Sequence, residues 1–137
     1  MKKKIFVAIA LAFITCTSAY SQTLTLEIRG IEKITGTLYI GFYNSSKTFI
    51  KKTVFGCAEK VTSKIMIIPV EGLPKGTYAI SLFQDENSNK KLDTGLFGIP
   101  QEKYGFSNDA KGFAGPPSFK ESKFEFKSNK KLIINLL

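Results

Sequence analysis

The sequence predicts an all-β domain: an antiparallel β-sandwich of about seven strands, with one long ordered loop after the strand that ends near Asp85. Three observations carry this prediction. Apolar and polar residues alternate at period two in several segments. Beyond the first 21 residues no amphipathic helical spacing is sustained for more than a turn or two, and clusters of Gly, Pro, Asn and Ser separate the alternating runs. Short strands punctuated in this way bury one face each, and they form two sheets packed face to face, as in immunoglobulin-like folds.

The chain begins with an address. Lys2, Lys3 and Lys4 precede an apolar run from Ile5 to Ile14, and a small-residue stretch follows, in which cleavage after Ser21 exposes Gln22. This is the pattern of a secretory signal peptide over residues 1–21, too short in its apolar part for the roughly 20 residues a membrane span needs. Residues 22–137 are then one domain of about 116 residues, exported to the periplasm or secreted and without a transmembrane segment after cleavage.

Composition narrows the chemistry. The 137 residues include 20 Lys+Arg, 11 Asp+Glu, two Cys and no His. Without histidine there is no Ser-His-Asp or Cys-His nucleophile and no histidine metal site. Loss of the three leader lysines lowers the net charge from +9 to +6. Nineteen of the 20 basic residues are lysine, Arg29 being the exception, and they are scattered, which argues against a nucleic-acid partner. The mature domain keeps a single cysteine, Cys57, so it has no internal disulfide; the residue reads as a small buried hydrophobe, and a linked dimer stays open.

Leu24, Leu26 and Ile28 alternate with Thr25, Glu27 and Arg29, which marks the first strand. Leu38, Ile40 and Phe42 mark a second, expected to form a hairpin with the first across the turn region 30–36. Residues 48–59 show no clean period and are expected to be a loop with a helical turn or a short irregular strand. Ile65-Met66-Ile67-Ile68 is apolar on both faces, as in a deeply buried strand. Gly72-Leu73-Pro74-Lys75-Gly76 forms a turn, with Gly76 free to take φ > 0, and strand alternation resumes over 77–85 with Tyr78, Ile80 and Leu82 inward. Phe124 and Phe126 mark another strand, and the run 132–137 is expected to pair within a sheet.

Residues 86–119 form the expected long loop, the segment in which function is anticipated. Its start offers a candidate cation site. Asp85, Asn87, Asn89 and Asp93 carry oxygen at alternate positions, Lys91 adds a main-chain carbonyl, and Leu92 pins the loop, which is the spacing of an EF-hand-like turn around Ca2+. Lys90 stands where such a turn favours glycine, and Leu96 where it has its bidentate glutamate, so the implied affinity is weak, in the millimolar range of extracellular modules. The competing reading is a metal-free loop whose Asp and Asn side chains bond main-chain amides. Later in the loop, Tyr104, Phe106 and Asn108 are the candidate ligand surface, with the alternative that the aromatic residues anchor the loop to the sandwich.

The segments Leu73-Pro74-Lys75-Gly76-Thr77-Tyr78-Ala79-Ile80, Asp85 to Asp93, Gly98-Ile99-Pro100, Glu102-Lys103-Tyr104-Gly105-Phe106-Ser107-Asn108 and Gly115-Pro116-Pro117-Ser118-Phe119 together resemble the DUF2141 family of exported bacterial proteins. The resemblance covers nearly the whole mature chain, and Lys90 departs from the glycine common there. It implies a prealbumin-like β-sandwich and no assigned activity. The function expected is therefore a non-catalytic module that binds a ligand or an envelope partner through residues 86–119. The alternatives are a purely structural envelope protein and a hydrolase using two carboxylates among Asp85, Asp93, Glu102 and Asp109.

Overall fold

The computed structural model describes residues 21–137; the expected leader lies, but for Ser21, outside the described residues. Among the described residues, eight strands form two sheets. They are β1 (Leu24–Arg29), β2 (Thr37–Tyr43), β3 (Phe55–Lys60), β4 (Met66–Val70), β5 (Gly76–Asp85), β6 (Tyr104–Phe106), β7 (Phe124–Phe126) and β8 (Lys130–Asn135). The order β4-β1-β8 makes a three-stranded sheet; β3-β2-β5-β6 makes the second, with β7 also pairing along β5. The all-β sandwich is the fold observed.

The alternation at β1 and β2 places Leu24, Leu26, Ile28, Leu38, Ile40 and Phe42 in the main core. Tyr78, Ile80 and Leu82 of β5 join them, with Phe124, Phe126 and Ile134. The pairing differs from the expectation. β1 and β2 do not form a hairpin: β1 pairs β4 and β8, whereas β2 pairs β3 and β5. The link between them crosses from one sheet to the other, and Ile31 is buried on the way. The pairing of β1 with β8 is also parallel, so the sandwich is not wholly antiparallel.

The strand expected to be apolar on both faces is an edge strand. In β4, Met66, Ile68 and Val70 enter the core, while Ile67 is 56% exposed. Ile67 flanks Glu27 on the outer face of the sheet, and Ile133 of β8 flanks it on the other side. Arg29 and Lys131 both pair with the Glu27 carboxylate. The segment without a period, 48–59, is a turn followed by β3. At the 72–76 turn the left-handed residue is Gly72 (φ +76), while Gly76 begins β5.

The expected loop 86–119 is divided. β6 adds to the edge of β5, short 3-10 turns lie at Leu96–Gly98 and Ser107–Asp109, and a helical turn, α1, occupies Phe119–Ser122. Beyond β8 the main chain runs on to the other sheet: Leu136 N–H donates to Arg29 O and Leu137 N–H to Tyr104 O, both at 2.8 Å. Gly105 permits this passage, because a Cβ there would meet Ile134 Cγ2 at 3.1 Å and Asn135 O at 3.3 Å.

Candidate functional site: an open groove on the larger sheet

The outer face of the larger sheet is covered over only half its extent. Tyr43, Ala79 and Phe106 point away from the main core and form a minor core under Phe49, with Tyr104, Ala110 and Phe119 packed against it. Phe49 contacts Tyr43, Phe106 and Phe119 edge to face. Buried aromatic edges of this kind fix the 46–51 turn and α1 on the sheet.

The other half is open. Cross-strand register aligns Ala58, Tyr39, Phe83 and Tyr104 in one row, and Gly56, Gly41, Ser81 and Phe106 in the next. The floor therefore lacks bulk where Gly41, Gly56, Ala58 and Ser81 sit. Tyr39 and Phe83 stack at 5.5 Å with a 24° interplanar angle. Ile50 and Thr53 border the groove and Leu92 lies at its edge, and the open space above its floor is about 600 Å³. That volume falls within the range of small-molecule sites. Burial raises the Tyr43 hydroxyl pKa, and Cys57 is raised by burial and then by Glu59, so both are neutral at pH 7. Cys57 is half-buried against the main core, consistent with a packing thiol.

The predicted cation turn adjoins this groove through Leu92. Asp85 is fully buried; its two carboxylate oxygens accept the main-chain N–H of Asn89 at 3.2 Å and of Lys90 at 2.8 Å. Asn87 Oδ1 accepts Asn89 N–H, and Asn89 Oδ1 accepts Lys91 N–H. The side-chain amides of Asn87 and Asn89 both donate to Asp93. Asp85, Asn87, Asn89 and Asp93 thus lie in one network, and Lys91 contributes its amide to it. Lys90 takes φ +63, the left-handed backbone for which the sequence lacked a glycine. Glu102 ties the turn together by accepting Glu86 N–H at 2.9 Å and Asp93 N–H at 3.0 Å. Among the described residues no group of three or more carboxylate, thiol or imidazole side chains is disposed to hold a metal.

Of the four carboxylates considered for hydrolysis, three serve the turn and the fourth lies elsewhere. Asp85, Asp93 and Glu102 are engaged as above, whereas Asp109 accepts from the main chain and side chain of Asn135.

The residues of the expected ligand surface are engaged within the fold to different degrees. Phe106 is buried in the minor core, Tyr104 is partly buried beside it, and Asn108 turns its side-chain amide onto Glu121 O and Lys123 O. Between them Ser107 is fully buried; its Oγ accepts Ile80 N–H at 2.8 Å and donates to Ser122 O. Ser118 caps α1 through a reciprocal box with Glu121. The Gly-Phe-Ser-Asn and Pro-Pro-Ser-Phe segments are therefore fastenings that hold the 107–122 region to β5. Sequence reading missed the groove because its signal is missing bulk at Gly41, Gly56, Ala58 and Ser81.

Among the described residues no helix is long and apolar enough to cross a membrane. No curated protein and no solved structure matches the chain. Residues 26–134 match DUF2141, an uncharacterized protein conserved in bacteria, and the chain belongs to that family.

Proposed function

We propose that this domain is an exported, non-catalytic binding module that takes a small, apolar-faced ligand bearing a ring or chain in the groove of the larger sheet. The carrying observation is the 600 Å³ groove, with its Gly41, Gly56, Ala58 and Ser81 floor beside the stacked Tyr39 and Phe83. A flat ligand face gains contact on such a floor, and the hydroxyls of Tyr39, Tyr43 and Ser81 can orient polar substituents. Export rests on the lysine and apolar pattern of residues 1–21. The chain has no tryptophan, so Phe83→Trp creates a unique fluorophore in the groove. Saturable quenching of that emission by anilinonaphthalene sulfonate, abolished by Ala58→Phe, is the expected result. Quenching that never saturates, or that survives Ala58→Phe, overturns the reading.

A second reading concerns the Asp85–Asp93 turn, for which we propose weak Ca2+ binding that stiffens the groove wall at Leu92. Its support is the clustering of oxygen-bearing side chains at 85, 87, 89 and 93 with the left-handed backbone at Lys90. Calcium at several millimolar is expected to release or absorb heat and raise the melting temperature, and Asp93→Asn to remove both effects. No change on adding calcium leaves the amide-bonded turn as its whole role.

A further inference from the structure

Leu96, Phe97 and Ile99 project from the turn beyond Asp93 with 82%, 98% and 63% of their surface exposed. They crown a small closed hairpin. Thr94 bridges Pro100, Gly95 N–H donates to Ile99 O at 2.8 Å, and Gln101 N–H donates to Asp93 O at 2.8 Å. Ile99 N–H turns back onto Leu96 O at 3.3 Å, and Phe97 takes φ +59 at the apex. The result is a convex apolar knob whose main chain is largely bonded to itself. Such a knob enters a hydrocarbon boundary without carrying a row of open amides with it.

We propose that this knob inserts into the interface of an anionic phospholipid bilayer. Area argues for a bilayer over a protein partner: three side chains at these exposures offer about 450 Å², roughly half of the ~800 Å² per partner in a stable protein interface. Charge argues for anionic headgroups. Lys90 and Lys91 stand exposed in the preceding turn, with no ion pair to their side chains among the described residues, and residues 22–137 carry a net +6. Apolar insertion beside unpaired lysines is the combination that retains peripheral proteins on acidic membranes. This inference is independent of the groove.

The absence of tryptophan supplies a local test. In the full chain carrying Phe97→Trp, vesicles of equal parts phosphatidylcholine and phosphatidylglycerol are expected to shift the emission to the blue and shield it from aqueous iodide. Lys90→Gln with Lys91→Gln should weaken this about thirtyfold, and pure phosphatidylcholine should give a smaller shift. Since the fluorophore sits at the apex, binding by other segments does not produce the signal. Emission unmoved by vesicles overturns the proposal. So does a blue shift that grows with protein concentration in the absence of lipid, which would make the knob a contact between copies.

Discussion

One carboxylate oxygen of Glu102 accepts the main-chain amide of Asp93 at 3.0 Å, nine residues away along the chain. The other takes Glu86 at 2.9 Å, so a single buried side chain closes the turn that carries Leu92 to the groove. Glu102→Ala leaves two amides without their acceptor, at a cost of about 2–3 kcal/mol, and should lower the melting temperature by about 10 °C. Glu102→Gln keeps one acceptor oxygen and should fall between. Calorimetry of the three proteins checks the order.

Lys90 holds a backbone conformation that glycine adopts without strain. Lys90→Gly is expected to stabilise the domain by about 1 kcal/mol, raising the melting temperature by about 4 °C. An unchanged or lower value would show that the lysine side chain contributes something the backbone strain offsets.

Ser107→Ala should be among the costlier single-atom deletions in the domain. It strands the buried Ile80 amide and frees the Ser122 carbonyl, for about 2 kcal/mol. A denaturant midpoint within error of the parent would refute its role as a fastening.

Glu27 predicts a pH dependence. The Lys131 ammonium and then the Arg29 guanidinium hold its carboxyl below the usual carboxylate range. Because the folded value is depressed, the stabilisation is fully present above the ordinary carboxylate pKa and is lost as pH falls through the lowered one. Glu27→Gln should therefore have a lower urea midpoint than the parent at neutral pH, with the gap closing in acid. A gap independent of pH would assign the effect to packing between Ile67 and Ile133.

The strands were legible where one face is dry and the other wet, as at Leu24 to Ile28 and Leu38 to Phe42. Their partners were not, since alternation records burial and not which sheet a strand joins. Ile67 and Ile133 mimic interior residues in sequence because they flank Glu27 on an outer face. β3 left no period because Gly56 and Ala58 face the groove without bulk. Ser107 and Asn108 lie within a segment that carries the family resemblance, but a polar side chain that fastens main chain and one that contacts a ligand have the same signature in one dimension.

The parallel pairing of β1 with β8 joins Leu24 to Lys130, which lie near opposite ends of the described chain. A contact of such sequence separation closes a long loop, so its entropic cost falls before its reward. The smaller sheet therefore cannot assemble from neighbouring segments alone, and folding should be slow for the domain's size. During that interval β1 has an unpaired edge, open to pairing with another chain.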